Sequence, residues 1–383
     1  MDWHLITSEF PPQHGGVSDY TYLVARGLAS AADEVHIWCP PAEGSTPDAP
    51  GVLVHRETGR FAPSDLRRVG RMLNRFKGPR RLLVQWVPHG YGYRAMNLPF
   101  CLWLWNRATQ HRDRVEIVVH EPYLAFTRRS WKQTSVALAH RLMTMVLLNV
   151  AHRIWVSIPA WEAHWRPYTL GRRMEFNWLP VVSNVPVLDD PAGVKKIRAR
   201  VAPAGGLILG HFGTYDRHVA ALLKRSVPAL LARDRTGLAV LLLGRGSESM
   251  RDALIRRHPQ LSGSLHAAGT LTASDLSRHI SACDVMMQPY MDGVSSRRGS
   301  VMAALSHGVP VVTTSGRLTE SLWAESGALA LAPAEDVAAL VKETERLLRD
   351  REARCRMGAA GRALYDERFD LRRIVAALRE AAA

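Results

Sequence analysis

The sequence predicts an α/β protein built from two doubly wound, Rossmann-like domains. Short apolar runs alternate with longer segments of helical period, which is typical of a parallel sheet wrapped by helices. The runs are rich in Val, Ile and Leu without clean alternation, as expected for strands covered on both faces. A proline- and glycine-rich stretch from Pro180 to Gly206 separates two such series, and 383 residues suffice for two cores.

Each series contains six predicted strands with a helix-length segment between neighbours. The strands of the first half are predicted over Trp3–Thr7, Glu34–Cys39, Val52–Arg56, Arg81–Val87, Val115–His120 and Arg153–Ile158. Those of the second half are predicted over Leu207–Phe212, Ala239–Gly244, Leu265–Ala268, Asp284–Tyr290, Val309–Thr313 and Ala328–Leu331. The stretch from Ala334 to Ala383 has an almost uninterrupted helical pattern.

The break between the two series sets the expected domain boundaries. We expect a first domain over residues 1–183 and a second over residues 184–369, with the C-terminal helix 370–383 packing back on the first. Two tandem domains of this kind predict a ligand-binding cleft between them.

The charge balance is strongly basic. Fifty Lys and Arg residues against 35 Asp and Glu residues leave a formal charge of +15, which predicts attraction to phosphates or to an anionic membrane. Nucleic acid is the weaker interpretation, because nothing resembles a DNA- or RNA-binding module and the arginines are spread through both halves.

The cysteines and the N-terminal sequence indicate the cellular compartment. The four cysteines, Cys39, Cys101, Cys283 and Cys355, lie far apart, so neither a zinc site nor a disulfide framework is indicated and a reducing cytoplasm is expected. The N-terminus has no signal-peptide pattern, and the longest apolar segment, Val136–Ile158, is broken by His and Arg residues. No spanning helix, metal or cofactor is predicted.

Two segments of the first half carry candidate site residues. Gly15 and Gly16 lie between the first strand and the first helix, where free amides and the helix dipole favour an anion. A plain turn with a capped helix is an equal alternative. His120 and Glu121 end a buried strand at the carboxyl edge of the sheet, where ligands bind in open α/β folds. A hydrogen-bonded structural histidine is the alternative there.

In the second half, a loop containing Gly213 and Thr214 joins a first strand to a helix, as in the first domain. Arg217 and Lys224, seven residues apart, share one face of that helix and are candidates for binding a diphosphate. The alternative is a solvated basic face, which is the commoner fate of such residues.

The fourth segment follows the predicted strand that ends at Tyr290. It comprises a polar loop and the start of a helix of small residues, with Ser295, Ser296, Arg297, Arg298, Gly299 and Ser300. Amide donors, hydroxyls and guanidinium groups at a helix N-terminus form a strong anion cradle. A purely structural interpretation leaves the two arginines unexplained.

These motifs resemble retaining glycosyltransferases of the GT-B fold, in particular glycosyltransferase family 4, over nearly the whole chain. The resemblance is carried by Glu9-Phe10-Pro11-Pro12 with Gly15-Gly16, by His120-Glu121-Pro122, by the Gly213 loop, and most specifically by Ala304-Leu305-Ser306-His307-Gly308-Val309-Pro310-Val311-Val312. It implies a metal-independent hexosyl transfer from a nucleoside-diphosphate sugar to an acceptor hydroxyl, with retention and with the leaving phosphate taking the acceptor proton on the same face.

The chain also departs from the family pattern. Two glutamates are usual in the family at positions where this chain has Ser295 and Ala303. Thr214 and Val219 stand where the family has its diphosphate-binding Arg and Lys. Our hypothesis is that Arg297 and Arg298, together with Arg217 or Lys224, supply the missing positive charge.

The resemblance further implies individual roles. His120 is expected to lie beside the sugar as the catalytic residue. Nucleotide contacts are expected from Gly244, Arg245, Leu271 and Tyr290, and acceptor contacts from Asp19, Glu121, Trp86 and Tyr91. The aromatic side chains after the fourth strand are equally compatible with the core. The expected partners are a nucleotide-sugar donor and a small-molecule or lipid-linked acceptor.

One basic segment of the first half bears on the acceptor. An apolar stripe of Leu66, Val69, Met72, Leu73 and Phe76 is flanked by Arg67, Arg68, Arg71, Arg75, Lys77, Arg80 and Arg81. Such a helix suits an anionic membrane at the inner face of the cell envelope. The preferred alternative is a surface helix that packs its stripe on the sheet.

Other functions are compatible with the same fold. The departures from the family pattern leave a catalytically inactive binding or scaffold protein open, and the fold also serves inverting transferases and nucleotide-sugar epimerases. The anomeric configuration of the product separates these enzymes, whereas an absence of nucleotide binding favours the scaffold.

Overall fold

A computed structural model of the chain describes residues 2–128, 130–233 and 237–380. The chain divides into two compact units. The first unit comprises Met1–Pro180 together with Leu371–Ala383, and the second comprises Val181–Asp370. The C-terminal segment therefore belongs with the N-terminal sheet rather than with the residues that precede it.

The first unit is a sheet of seven strands with helices in the connections. Its strands are β1 (Asp2–Ile6), β2 (Glu34–Trp38), β3 (Val52–His55), β4 (Arg81–Trp86), β5 (Arg114–Val119), β6 (Arg153–Val156) and β7 (Phe176–Trp178). Its helices are α1 (Gly16–Ser30), α2 (Pro63–Leu73), α3 (Leu98–Gln110), α4 (Trp131–Val150) and α5 (Ala160–Trp165), joined at the C-terminus by a helix at Leu371–Glu380.

The strands of this sheet are all parallel, in the order β3-β2-β1-β4-β5-β6-β7. This is a doubly wound order, in which the chain first runs to one edge and then crosses back past β1. The carboxyl ends of β1, β4 and β5 are therefore neighbours, and the loops that follow them lie at one edge of the sheet.

The core of the first unit combines aromatic and aliphatic side chains from both faces of the sheet. Trp3, Trp86, Tyr91 and Phe100 have no exposed surface. Two arginines of the basic segment are buried as well: Arg80 Nε donates to Asp113 Oδ1 and Arg81 Nε to Glu116 Oε1, each at 2.7 Å. Arg80 and Arg81 thus form ion pairs in the interior. Their prediction as surface residues flanking the apolar stripe of the basic segment is therefore wrong.

The second unit repeats the architecture with six strands. Its helices begin with α6 (Pro191–Val201), α7 (Arg217–Arg233), α8 (Ser247–Arg257), α9 (Ala273–Ser281) and α10 (Gly299–Ser306), followed by α11 (Ser321–Glu325), α12 (Val337–Arg349) and α13 (Arg351–Leu364). The strands are β8 (Ile208–Phe212), β9 (Ala239–Leu243), β10 (Leu265–Ala267), β11 (Val285–Gln288), β12 (Val311–Ser315) and β13 (Leu329–Pro333).

These strands are again parallel, in the order β10-β9-β8-β11-β12-β13. One face of the sheet packs a continuous apolar core against α7, α8 and α12, with Leu223, Leu242 and Leu340 completely buried. The loops after β8, β9 and β11 lie at the carboxyl edge, which is where the sequence motifs of this half are found.

The predicted fold class is confirmed, and each of the twelve predicted strands is present with ends displaced by two residues or fewer. The strand β7 was not predicted. It has three residues and pairs with β6 alone, so it is too short for a hydrophobic period to reveal it. The C-terminal helix, now labelled α14 (Leu371–Glu380), packs on α1, and Arg81 donates to the carbonyl of Leu378 at 2.9 Å.

None of the helices in the described part of the chain is both long enough and apolar enough to cross a membrane.

Candidate functional site

The first glycine-rich loop already holds an anion of its own. One oxygen of the Glu9 carboxylate accepts hydrogen bonds from the amides of Val17 and Ser18, at 3.1 and 3.0 Å, in the first turn of α1. A β-carbon at Gly15 would clash with Oε1 of Glu9, so a larger residue there would displace the carboxylate from these amides. Gly16 has open space at its α-carbon. Glu9 therefore meets the demand of these amides for negative charge, and a ligand anion has to compete with it.

The predicted catalytic histidine lies in a nearly closed polar cluster. His120 follows β5, and its Nε2 lies 2.8 Å from Oε1 of Gln85, a completely buried residue near the end of β4. The edge of the Tyr20 ring meets the imidazole at 5.0 Å between centroids. Burial lowers the pKa of His120 to about 4, so the ring is neutral near pH 7.

The protonation of this ring follows from its partner. Because the Gln85 oxygen can only accept, Nε2 of His120 carries the hydrogen and Nδ1 keeps its lone pair. The Tyr20 hydroxyl and the Gln85 amide nitrogen are buried without a hydrogen-bond partner among the described residues. The cluster therefore offers one acceptor on His120 and unused polar groups beside it, a set suited to sugar hydroxyls rather than to charge.

The predicted acceptor residues divide by burial. Trp86 and Tyr91 are completely buried and stack on each other at 5.4 Å between ring centroids. The core alternative is thus correct for both, because no face of either ring is left for a ligand. Glu121 is exposed and pairs with Nδ1 of His89 at 3.4 Å, and Asp19 is half-buried in the first turn of α1.

In the second unit, two glycines bring three loops close together. A β-carbon at Gly244 would lie 2.7 Å from the carbonyl oxygen of Gly213, and Gly244 has a φ of +99° that favours glycine. The amide of Gly244 donates to the carbonyl of Gly269 at 3.0 Å. The loops after β8, β9 and β10 are therefore held in backbone contact at the carboxyl edge.

A buried histidine points its free nitrogen toward the same loop. Nδ1 of His211 lies 2.8 Å from the carbonyl of Met287, so it carries the hydrogen, and Nε2 is buried without a partner among the described residues. A β-carbon placed on Gly213 would lie 3.9 Å from this Nε2 and 3.8 Å from the Ser300 hydroxyl. Burial lowers the pKa of His211 to about 4.

The Gly213 loop thus meets the start of α10. The hydroxyl of Tyr290 lies 2.8 Å from that of Ser300, and the Arg298 guanidinium lies over the Tyr290 ring at 4.2 Å from its centroid. Arg298 occupies the N-cap of α10 without a side-chain cap, so the first amides of the helix have no side-chain acceptor there. Hydroxyls, amides and a guanidinium converge here, as an anion requires.

Both predicted arginines have an acidic partner. Arg297 donates to Asp292 Oδ2 at 2.9 Å, and Arg298 donates to the other oxygen of the same carboxylate. The interpretation that these arginines lack a structural purpose is therefore wrong, since they also brace the loop. With about a quarter of each arginine side chain exposed and a single carboxylate between them, the local charge remains positive.

The two serines of this loop differ in their surroundings. The amide and hydroxyl of Ser296 donate to Glu320 at 2.9 and 2.5 Å, and Glu320 accepts from the Trp323 indole through its second oxygen. Ser295 is completely buried, and its hydroxyl has no partner within the described segments. Ser296 therefore positions the loop, whereas Ser295 keeps an unused polar group.

The remaining predicted residues lie farther from this convergence. Arg217 and Lys224 are exposed on the outer face of α7, about 10 Å apart along its axis. Asp216 accepts from the amides of His218 and Val219 at the start of that helix. Thr214 and Arg245 are exposed. No contact described for this part of the chain joins Arg217 or Lys224 to Arg298.

Leu271 lies beside a different opening. It lines a cavity of about 560 Å³ at the edge strand β10, together with Arg200, Arg251, His266 and His279. Its predicted contact with a nucleotide remains a prediction.

The basic helix of the first half packs as the preferred alternative predicts. Leu66, Val69 and Leu73 of α2 are buried against the unit, whereas Arg67 and Arg71 are exposed. The apolar stripe that would enter a membrane is used in the core.

Several partners in these clusters were missed in the sequence analysis. Gln85 interrupts an apolar strand, and Asp292 lies inside the loop from Tyr290 to Ser300, so both could have been recognised in the sequence. Glu320 is 24 residues from Ser296, and no sequence pattern connects the two. Within the described residues, no group of three His, Cys, Asp or Glu side chains is arranged to hold a metal ion.

Comparison with known structures bears out the fold. The chain resembles a sucrose-phosphate synthase from Thermosynechococcus elongatus, with 18% identity, a TM-score of 0.73, and coverage of 100% of this chain and 98% of that one. It also resembles HepE from Anabaena in complex with UDP and glucose, with 15% identity, a TM-score of 0.69, and coverage of 100% and 99%.

A third similar structure is WaaG, described as a glycosyltransferase involved in lipopolysaccharide biosynthesis. It is 14% identical, with a TM-score of 0.65 and coverage of 99% of this chain and 98% of WaaG. At these identities the likeness shows the fold, which is GT-B. No curated protein matches the chain in sequence.

The match to a family model is limited to the second unit. Residues 206–350 match the family described as "Glycosyl transferases group 1". This range contains the Gly213 loop, Gly244, the loop from Tyr290 to Ser300 and α10. The enzyme class predicted from the motifs is therefore confirmed: the second unit carries a glycosyltransferase domain.

Proposed function

We propose that the protein is a retaining glycosyltransferase of family 4 that binds the diphosphate of a nucleotide sugar at the start of α10. The observation that carries the proposal is the convergence of Ser300, Tyr290, Arg298 and the uncapped amides of α10 beside Gly213. Cations and amide dipoles are what a diphosphate leaving group needs as its bond to the sugar breaks.

The proposed reaction needs few protein groups. The bond between the anomeric carbon and the diphosphate oxygen breaks, and an acceptor oxygen bonds to that carbon on the same face. The acceptor proton passes to the departing phosphate oxygen, so no carboxylate pair of the glycosidase type is required. Arg297 and Arg298 stabilise the negative charge that develops on the diphosphate, which supports a reaction without a metal.

His120 is assigned contact with the transferred sugar. Its neutral ring and the lone pair on Nδ1 suit acceptance of a sugar hydroxyl, and the bond from Nε2 to Gln85 holds its orientation. A neutral donor-acceptor pair orients a sugar without adding charge near an oxocarbenium-like centre. A charged imidazolium there would oppose the positive charge that develops on the sugar.

The donor and acceptor classes follow from the same proposal. HepE was solved with UDP and glucose, which supports a UDP-sugar among the donors. The acceptor is a small molecule or a lipid-linked compound, and the second kind requires contact with an anionic membrane. We place the enzyme in the cytoplasm, at the inner face of that membrane.

The test is donor hydrolysis in the absence of acceptor. The full chain is incubated with a panel of nucleoside-diphosphate sugars in the presence of a chelator, and release of the nucleoside diphosphate is measured. We expect release with one donor, reduced strongly by Arg297→Ala with Arg298→Ala. Release that depends on added divalent metal contradicts the metal-independent mechanism. An inverted anomeric configuration in the product of transfer to an acceptor contradicts retention.

A scaffold function is the second candidate, favoured by one observation. Ala303, which stands where the family has a glutamate, is completely buried in α10 and carries no group to bind a ribose. Thermal shift with nucleoside diphosphates separates the candidates, because a ligand that binds the native state raises its melting temperature. No shift with any nucleotide supports the scaffold.

A further inference from the structure

The outer surface of two neighbouring helices in the first unit is apolar and exposed. Helices α3 and α4 pack side by side between the sheet and solvent. The large apolar residues on their outward side are Leu102 (49% exposed) and Trp105 (42%) on α3, and Trp131 (77%), Leu138 (55%) and Leu142 (47%) on α4. We call this set the α3–α4 face. An apolar patch of this kind marks a binding surface.

The composition of α4 explains why apolar side chains remain outside. The helix runs for 20 residues without an acidic residue, and its inward side already buries Met143, Leu147 and His140. Trp131, Leu138 and Leu142 are spaced by seven and four residues, so they lie on one stripe opposite that core. The core therefore covers one side of α4 and leaves the apolar side chains of the opposite stripe at the surface.

The chain segment that contains α4 carries charge of one sign. Between Pro122 and Trp161 the chain has no Asp or Glu, whereas it has the basic residues Arg128, Arg129, Lys132, Arg141 and Arg153. Arg128 and Lys132 are exposed next to Trp131. The nearby loop adds Phe126, 53% exposed, whose ring lies 3.7 Å from the Arg141 guanidinium carbon.

We propose that the α3–α4 face docks on an anionic phospholipid bilayer. Apolar side chains enter the boundary between headgroups and acyl chains, tryptophan is favoured at that depth, and lysine and arginine bind the lipid phosphates. The inference deepens the proposed function, on which it rests for its purpose, since it names the surface that brings a lipid-linked acceptor to the enzyme.

The charges favour a membrane over a second copy of the chain. A two-fold contact between copies would bring the same basic residues together without an acidic group from Pro122 to Trp161 to meet them. An anionic bilayer supplies the complementary charge. It also accepts side chains of different shapes, whereas a protein partner needs a fitted surface.

The test is flotation of the full chain with two kinds of vesicle. One kind is phosphatidylcholine alone, and the other contains roughly a third phosphatidylglycerol. We expect binding to the anionic vesicles, and a loss of about a thousandfold in the partition coefficient when Trp131→Ser, Leu138→Ser and Leu142→Ser are combined, since each buried side chain contributes roughly tenfold. Arg128→Ser and Lys132→Ser should each weaken binding about fivefold.

A matched control uses exposed apolar residues elsewhere. Leu53→Ser and Val187→Ser remove side chains of similar exposure, 53% and 49%, and should leave flotation unchanged. Because the altered residues face solvent, all variants should keep the melting temperature of the unaltered chain. Each variant should also hydrolyse the donor at the original rate, so a failure of docking is distinguished from a failure of the proposed function.

Three results overturn the inference. One is flotation that survives the triple substitution, and another is equal loss with the control variants. The third is an unaltered chain that does not float but forms a dimer in light scattering, with the triple variant monomeric. That outcome assigns the face to contact between copies.

Discussion

The two units arrange the polar groups of their sheet edges differently. In the first unit the central group is a neutral, buried imidazole, His120, paired with the amide of Gln85. In the second unit two partly exposed arginines share the carboxylate of Asp292 beside Ser300 and the start of α10. The sheet edge of the first unit therefore uses hydrogen bonds between neutral groups, whereas that of the second unit uses charged groups.

The difference follows from the cost of burial. A charged group that is removed from water requires a paired partner, whereas a neutral imidazole requires only hydrogen bonds. The second edge keeps about a quarter of each arginine exposed, so it can exchange water for a ligand phosphate. Under the proposed function, we expect the second unit to contribute affinity for the donor and the first to contribute orientation of the sugar.

The largest effect is expected from removing the charge in the second unit. Arg297→Ala combined with Arg298→Ala should weaken binding of the nucleoside diphosphate by roughly 10²- to 10⁴-fold, since each charge-assisted contact contributes roughly 1.5 to 3 kcal/mol. Isothermal titration of the full chain measures it.

Asp292→Asn is the control for this change. If the arginines served only to brace the loop, the loss of their carboxylate partner would weaken binding as much as the double substitution does. The comparison between the units predicts that Asp292→Asn retains binding, because both positive charges remain.

A change in the first unit should affect turnover rather than affinity. His120→Ala should lower kcat by about a hundredfold, the low end of what a positioned histidine contributes, and leave the affinity for the nucleoside diphosphate unaltered. His120→Asn should recover part of the rate, since its amide can replace one hydrogen bond. Equal losses in kcat and in nucleotide affinity would contradict the division between the units.

Acid should destabilise both units through their buried histidines. His120 and His211 each have a folded pKa of about 4 against 6.5 in the unfolded chain, so the unfolded state binds more protons between these values. The contribution of these histidines to the free energy of unfolding is therefore present in full above about pH 6.5, and it falls as the pH drops toward 4. At pH 5 each histidine should cost about 2 kcal/mol in free energy of unfolding.

Urea unfolding at pH 7 and pH 5 measures this cost. His211→Asn should remove about 2 kcal/mol of the difference between the two pH values, and His120→Asn a similar amount in its own unit. A variant with an unchanged pH dependence would show that its histidine has the same pKa in the folded and the unfolded chain.

The smallest effect concerns salt. Binding of the nucleoside diphosphate should weaken about threefold between low and physiological ionic strength, because the arginines are partly exposed and their attraction is screened. The factor lost on His120→Ala should not change with salt, since the imidazole is neutral. A salt-dependent histidine effect would remove the distinction between the two edges.

Two helices of the first unit show how far a sequence pattern reaches. The basic, amphipathic pattern of α2 is compatible with a membrane surface as well as with the preferred prediction of packing on the sheet, and its stripe is buried. The segment of α4 stands out in the sequence only for an apolar stretch interrupted by His and Arg, yet the helix exposes Trp131, Leu138 and Leu142. A helix has one apolar stripe to bury, so an exposed stripe follows only when apolar residues outnumber the positions that the core can cover.

The sequence by itself determined the two parallel sheets and the positions of their functional loops. Hydrophobic period and glycine placement are patterns over a few consecutive residues, so they can be recognised in the sequence. Tertiary structure alone decided the partners: Glu9 at the start of α1, Gln85 at His120, Asp292 between two arginines and Glu320 at Ser296. Such pairs depend on where packing brings side chains of distant sequence position, which no local period encodes.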